Sequence, residues 1–333
     1  MKISLIVCTY MRPGSLSKLL DTILLQVRLP DEILIVDGST DDETKKIFQN
    51  GRYNTLPLKY YKVSDEERGL TKQRNFGVSH VDSIMDIVAF LDDDTELDPL
   101  YFLEIEKTFE SHKDAVGVSG YITNEVQWEP VNSKNQGFSF FTIDGWSRKE
   151  DMRNRFRKAL GLMPDIQPST IGPYAHERAL GGLPPSGKIY KVDYLQGAMM
   201  CFKKEIFQYI SFSHYFEGYG LYEDKDFSLR AGKIGNLYVS TRAKLSHHHD
   251  PFGRPNYVKY GIMTVRNGWR VWRVAVPKPK KLDQLKWYTV TILLAWFRLG
   301  SAFKGPDRRK AFEEFLGRHI GLIKLIYSPP TID

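Results

Sequence analysis

The sequence predicts an α/β fold, a mostly parallel sheet covered on both faces by helices. Three observations carry that expectation. Over the first 125 residues short apolar runs alternate with stretches of helical spacing, and strands that alternate with helices connect through right-handed βαβ crossovers. One of those runs, Ile87–Leu91, is wholly apolar and reads as a buried strand. Three aspartates, Asp92, Asp93 and Asp94, follow it directly, and in open α/β sheets ligands bind at the carboxyl ends of the strands.

The elements follow in order. Ile3–Cys8 is the first strand. Ser15–Gln26 has helical spacing, with Leu16, Leu19, Leu20, Ile23 and Leu24 on one face. Glu32–Val36 is a second strand, and Thr40-Asp41-Asp42 supplies a cap for a helix after it. Leu58–Val63 is a third strand, Leu70–His80 a helix, Asp86–Leu91 a fourth strand, Leu100–His112 a helix and Ala115–Ile122 a fifth strand. From Gln127 to Lys191 the pattern breaks into Gly, Pro, Asn and aromatic residues. That stretch is too long for a plain connection and reads as a functional loop system or an insertion. Met152–Leu162 is a basic helix within it, and His176 and Glu177 are polar candidates there. A strand over Val192–Phe202, a helix over Asp224–Gly232 and two strands near Leu237–Val239 and Ala243–Ser246 lead into His247-His248-His249-Asp250. Helices over Tyr257–Val274, Leu282–Phe303 and Arg308–Ile326 complete the chain. The expected division is residues 1–125, 126–250 and 251–333.

Charge and composition narrow the function. With 333 residues and 42% hydrophobic content the chain is long enough for one large domain or two modest ones. Its two cysteines, Cys8 and Cys201, lie inside apolar runs and read as buried small residues in a reducing compartment. The amino terminus starts straight into a strand, so no signal peptide is expected. The net charge is +7, yet residues 251–333 hold 16 Lys and Arg against 5 Asp and Glu, a balance of +11 that leaves −4 for the rest. The tail therefore calls for an acidic partner, and anionic lipid and nucleic acid both qualify. Trp287–Phe297 is an uncharged run of 11 residues, roughly 16 Å of helix against a bilayer core of about 30 Å. It is too short to span. It fits a helix lying in the membrane interface with Trp287, Tyr288 and Trp296 at headgroup depth, or an ordinary helix packed on the domain or on a second subunit.

Three clusters carry chemistry. Adjacent like charges repel one another, and a fold tolerates Asp92–Asp94 at a strand tip when a cation sits there. A solvated turn capping the helix after Asp98-Pro99 is the alternative. Glu223-Asp224-Lys225-Asp226 opens a helix on a glycine-rich approach. One of its carboxylates can serve as a general base, or cap the helix. In His247-His248-His249-Asp250, adjacent side chains on a strand point to opposite faces, so one or two imidazoles can reach a shared ion. One His with Asp92 and Asp94 suits manganese or magnesium, and a polar strand end is the alternative. Neither GxGxxG nor GxxxxGK[ST] is present, which counts against dinucleotide binding and P-loop chemistry.

Five motifs in order resemble an inverting glycosyltransferase of family two with the GT-A fold. They are Ser4–Tyr10 with Arg12; Ile33–Thr44, reading ILIVDGSTDDET; Arg68–Gly77; Phe90–Thr95; and Gln196-Gly197-Ala198 with Glu223–Arg230. The resemblance covers roughly residues 1–250. It implies a nucleotide-sugar-binding mixed sheet flanked by helices and a helical carboxyl-terminal segment. It implies that Thr9 and Asp37 hold the nucleotide base and that Arg74 lies near the nucleotide. Tyr10, Arg12, Asp93, Gly197, Ala198 and Glu223 would complete the donor site. Asp92 would face the ribose or metal-bound water, and Asp94 would ligate the metal. A histidine, His248 first by its spacing from Asp224, or else His247 or His249, would join it. Asp224 would be the catalytic base. Many relatives carry two adjacent acids where this chain has Val36-Asp37, so the base is left open.

Tyr260, Arg266-Asn267 and Leu299–Gly305 resemble the carboxyl-terminal helices of transferases that build bacterial surface polysaccharides. That implies a UDP- or dTDP-sugar donor and a lipid-linked or polysaccharide acceptor. It also implies a peripheral place at the cytoplasmic face of the membrane. No nucleic-acid partner is expected. A nucleotidyltransferase is the nearest enzyme alternative, but Thr9–Gly14 offers only Arg12 where such an enzyme carries a glycine-rich basic loop. A non-catalytic membrane or nucleic-acid binding protein using the tail is the alternative of a different class.

Overall fold

A computed structural model describes residues 1–250, 255–303 and 307–332. Those residues form two compact units, one within Met1–Gln127 and Leu180–Gly253, the other within Trp128–Ala179 and Arg254–Asp333. Residues 128–179 thus group with the carboxyl-terminal helices.

The first unit is a mixed sheet with helices packed on it. In chain order its elements are β1 (Ile3–Thr9), α1 (Pro13–Leu24), β2 (Glu32–Asp37), α2 (Glu43–Lys46), β3 (Leu58–Lys62), α3 (Leu70–Ser79), β4 (Ile87–Asp92), β5 (Thr95–Leu97), α4 (Tyr101–Ser111) and β6 (Ala115–Ile122). The second unit contributes β7 (Glu129–Pro130), β8 (Phe140–Ile143), β9 (Trp146–Lys149) and α5 (Met152–Ala159). The first unit then resumes with β10 (Ile189–Val192), β11 (Met199–Lys203), α6 (Glu223–Ala231) and β12 (Asn236–His247). The large sheet runs β10-β12-β6-β11-β4-β1-β2-β3, with β5 paired to β12. β1, β2, β3 and β4 are parallel. β11 lies between β4 and β6 and runs against both, so β4, β6 and β12 share one direction.

Sequence and structure part company where pairing is long-range. The strand expected over Val192–Phe202 is two, an edge strand β10 and a central strand β11 joined by residues 193–198. The two short strands expected between Leu237 and Ser246 are the single strand β12, whose pairing with β6 shifts register between Val239 and Lys244. That irregularity falls where Ser240-Thr241-Arg242 interrupts the apolar pattern. β5 has no apolar run to announce it, and α2 is one turn long. Cys201 is buried and Cys8 half-buried, and both are free thiols.

In the second unit β7, β9 and β8 make a small antiparallel sheet. The Asp151 carboxylate caps α5 by accepting from Asn154 N at 2.8 Å. Three helices follow, α7 (Tyr257–Ala275), α8 (Lys281–Ala302) and α9 (Arg308–Tyr327). Trp287 of α8 is 2% exposed and stacks on Trp272 of α7, with ring centres 5.3 Å apart. Tyr174, Val265 and Leu325 pack around the pair. The placement of Trp287 at headgroup depth is therefore corrected: it is core. Trp296 is the exposed tryptophan of this helix, at 56%. His176 also lies inside this unit, its Nε2 3.1 Å from Thr291 Oγ1. The end of the Leu299–Gly305 stretch lies outside the described residues. No helix among the described residues is long and apolar enough to cross a membrane.

Candidate active site

Strand direction gathers the chemistry at one edge of the first unit's sheet. Thr9 at the end of β1 pairs with Asp37 at the end of β2, and Cys8 with Asp92 at the end of β4. β11 starts beside them: Asp92 N donates to Ala198 O at 3.2 Å. β12 ends there too, with His247 opposite Thr95.

The acid triplet divides its work. Asp93 turns inward, accepting from Thr9 Oγ1 at 2.7 Å and from Arg12 Nη1 at 3.1 Å. Burial lifts its carboxyl to about 7, with Arg12 and Thr9 opposing the rise and Asp94 and Asp92 adding to it. Asp94 Oδ1 lies 3.1 Å from His247 Nε2, and Asp92 Oδ2 lies 4.0 Å from the same nitrogen. The segment after β12 wraps this acid. His248 N donates to the Asp94 carbonyl at 3.0 Å, and Asp250 N donates to Asp94 Oδ2 at 2.8 Å. His249 takes a positive φ of 52° between them. Burial works against the charge of Asp94, but His247, the Asp250 N–H and Arg12 outweigh it and hold the carboxyl down to about 2. Burial likewise opposes the cationic form of His247, while Asp94, Glu125 and Asp92 outweigh that and raise it to about 10.

The choice of histidine is corrected. His247 meets Asp92 and Asp94, whereas His248 points the other way, to Glu96 at 3.3 Å. Neighbouring strand residues face opposite sides, and pairing with β5 fixes which side His247 takes. His249 lies on Glu125, 3.0 Å from its Oε1.

Arg74 ties three segments together. Buried in α3, it pairs with Glu223 at the start of α6, reaches Asp92 Oδ1 at 3.4 Å and donates to Gly197 O at 2.9 Å. Phe90 and Phe212 lie against its guanidinium. Burial raises Glu223 to about 8 against the pull of Arg74, with Asp224 and Asp92 reinforcing the rise. Arg74 and Glu223, 2% and 3% exposed, are therefore held against each other rather than open to a nucleotide. Asp224, beside Glu223, is only half-buried. Its Oδ2 accepts from Gly197 N at 2.9 Å and its Oδ1 from Lys225 N at 2.8 Å. A Cβ on Gly197 would sit 3.3 Å from Asp224 Cβ and 3.2 Å from Glu223 Oε1, so the glycine permits this approach.

At the β1–β3 end, Asp37 is fully buried. Its oxygens accept from Ser39 N and from Tyr60 Oη, each at 2.7 Å. Thr9 is also buried, on Asp93. Tyr10, Arg12 and Arg68 are half-buried here, and Lys62 is exposed. Arg68 lies over the Tyr10 ring and donates through Nε to Gly38 O at 2.6 Å. Arg68 and Asp250 stand inside motifs quoted above but were given no role there, and Glu125 lies outside every motif. Arg68 could have been found as the residue before Gly69; the other two are placed only by β6–β12 pairing and the turn after it.

A divalent cation fits the donor set. Asp92, Asp94 and His247 offer ligand atoms within 4.8 Å of one another. Asp94 Oδ1 is buried without a hydrogen bond, although an imidazole nitrogen is near, and such an orphaned acceptor is what a cation satisfies. Two carboxylates and one imidazole suit manganese or magnesium.

Comparison with known proteins bears on the family and the fold. The family model described as "Glycosyl transferase family 2" matches residues 4–171. A glucosyl-dolichyl phosphate glucuronosyltransferase of Haloferax volcanii is 27% identical over 176 residues, 50% of this chain and 54% of that protein. A GalNAc(5)-diNAcBac-PP-undecaprenol beta-1,3-glucosyltransferase of Campylobacter jejuni is 32% identical over 96 residues, 29% of this chain and 30% of that protein. The chain thus spans about half the length, or less, of these curated relatives. A mannosyltransferase from Pyrobaculum calidifontis, solved with GDP-Man and Mn2+, is similar in fold at a TM-score of 0.57 and 14% identity, covering 99% of this chain and 88% of that one. The mixed sheet with flanking helices is of the GT-A type.

Proposed function

The chain belongs to glycosyl transferase family 2, and from that premise we propose that it is a metal-dependent, inverting glycosyltransferase. It moves a hexosyl or deoxyhexosyl group from a UDP- or dTDP-sugar to a hydroxyl of a lipid-linked glycan or polysaccharide. The observation that carries this reading is the convergence of Asp92, Asp94 and His247 at one sheet edge, with Arg74 and Gly197 linking them to Asp224. The relatives' names support the acceptor class, since both describe transfer onto lipid-linked sugars.

Asp94, His247 and Asp92 would hold the ion. When bound, it supplies Lewis acidity that offsets charge developing on the leaving diphosphate. The protein's own part is positional. Gly197 N and Lys225 N fix the Asp224 carboxylate, each oxygen keeping a lone pair free. Asp224 takes the proton of the acceptor hydroxyl as that oxygen bonds to the anomeric carbon and the sugar–phosphate bond breaks. One displacement inverts the centre. Arg74 and Glu223 tie Asp92 to the Gly197–Asp224 side of the site.

The second unit is proposed to rest on an anionic membrane surface, at the inner face of the cell membrane. Support comes from the exposed apolar residues of α8 and α9, helices that also carry the exposed Lys281, Arg308, Arg309 and Lys324.

The test uses purified full chain, Mn2+ and a panel of nucleotide sugars, reading thermal shift and slow donor hydrolysis, then transfer to a lipid-linked glycan. A response to one donor class is expected. Asp224→Asn should keep donor binding and lose about 10²–10⁴-fold in transfer. No response to any donor with metal present would overturn the reading; full transfer by Asp224→Asn would overturn the base assignment.

A further inference from the structure

We propose that Glu125 is a positioning residue for the cation site. It holds the Nδ1–H of His247, so that the Nε2 lone pair faces Asp92 and Asp94. This inference rests on the metal-dependent reading above.

The chain places Glu125 by backbone pairing. β6 ends at Ile122, and the residues after it are zipped to the end of β12. Thr123 N donates to Leu245 O at 2.9 Å. The Asn124 side chain donates to His247 O at 2.9 Å and accepts from His247 N at 3.0 Å. Glu125, next in line, then falls behind the imidazole. Its Oε1 is 3.6 Å from His247 Nδ1, while Nε2 on the opposite side of the ring is 3.1 Å from Asp94 Oδ1. His249 steadies the carboxylate, Nε2 to Oε1 at 3.0 Å.

A neutral imidazole carries its proton on one nitrogen, and the hydrogen bond made there leaves the other free to ligate. His247 Nδ1 is buried and closes no hydrogen bond in this structure. Glu125 is the acceptor facing it, so Glu125 selects the Nδ1–H tautomer. Carboxylates behind a ligating histidine raise its basicity and fix its ring, and losing one typically weakens metal binding about 10–100-fold. His249, one of the histidines read as a ligand from sequence, acts here by anchoring Glu125.

Mn2+ affinity of the full chain, read from free Mn2+ by electron paramagnetic resonance and from thermal shift, tests this. Wild type should bind one Mn2+. Glu125→Ala should bind it roughly 10–100-fold more weakly. Glu125→Gln, whose amide oxygen still accepts from Nδ1, should stay within a few-fold of wild type, and Glu96→Gln should be unchanged. Asn124 holds the backbone, so Glu125→Ala should melt as cooperatively as wild type. If it does not, Glu125→Met, of similar length without an acceptor, takes its place under the same expectation. Wild-type affinity in Glu125→Ala overturns the proposal while leaving the metal site standing, as does Gln no better than Ala. Two bound Mn2+ of which Glu125→Ala removes one also overturns it, since Glu125, His247 and His249 would then be ligands of a second ion. A wild type that binds no Mn2+ fells the metal reading and this inference together.

Discussion

His247 faces an acid at each ring nitrogen, and that decides how the site answers to pH. Burial opposes its charge, yet Asp94 and Glu125 raise it from 6.5 to about 10. A group raised on folding contributes stability that is present below its unfolded value and lost as pH climbs through its folded value. Asp93, raised by burial from 3.8 to about 7, and Glu223, raised by burial from 4.5 to about 8, act in the same sense. Asp94, held down at about 2, acts oppositely and only below 3.8. The metal-free protein should therefore lose stability as pH rises from 6.5 towards about 10. A divalent ion must displace the proton of His247 to bind, so the thermal shift given by Mn2+ should grow over the same interval. A shift that shrinks with rising pH would remove His247 from the ligand set. The acids and the histidine run are legible in the sequence because residue type and strand-end position suffice. Which histidine turns inward is not, because that depends on the phase of β12 against β5. The Arg74–Glu223 pair joins residues 149 positions apart, and no local pattern announces it.

Elements carry the site through close packing. α3 brings Arg74 to the sheet edge because Gly77, one turn further on, lets the helix settle on β1. A Cβ there would lie 2.7 Å from Ile6 Cγ2, closer than packed carbons tolerate. Gly77→Ala should cost about 1–3 kcal/mol, as overpacking usually does, read as a lower urea midpoint with unchanged slope. The shifted helix should also weaken transfer, since Arg74 moves with it. An unchanged midpoint would mean that Ile6 simply rotates away. The alternating half of the fold is legible before Gln127 because its strands and helices, apart from β5 and the one-turn α2, each have their own period. Beyond it, β11 enters antiparallel between β4 and β6, and β10 pairs with a strand some 50 positions later in the chain. Such pairings are chosen by tertiary contact, which local spacing does not encode.

At the scale of the whole molecule the charge is divided, with +11 in residues 251–333 and −4 in the remainder. Within the second unit the apolar surface is divided as well. On α8, Leu282, Leu285, Ile292 and Trp296 are exposed, and on α9, Phe312, Leu316, Ile323 and Ile326. Trp296 touches Phe315 and His319 of α9, so the two stripes adjoin. Basic residues on the helices that carry this apolar ridge suit an anionic bilayer surface. In a two-fold pairing of copies the same residues would face like charge. Deleting residues 280–333 would be a poor test, because Trp287 is part of the core and its loss would unfold the unit. Trp296→Ser with Phe312→Ser and Ile323→Ser removes exposed apolar area and leaves the Trp272–Trp287 stack intact. The triple variant should float less with vesicles containing phosphatidylglycerol, and added salt should lower wild-type flotation. Neutral vesicles should bind both proteins weakly. Unchanged flotation, together with a wild-type dimer that the variant loses in sedimentation, would assign the ridge to a second copy instead.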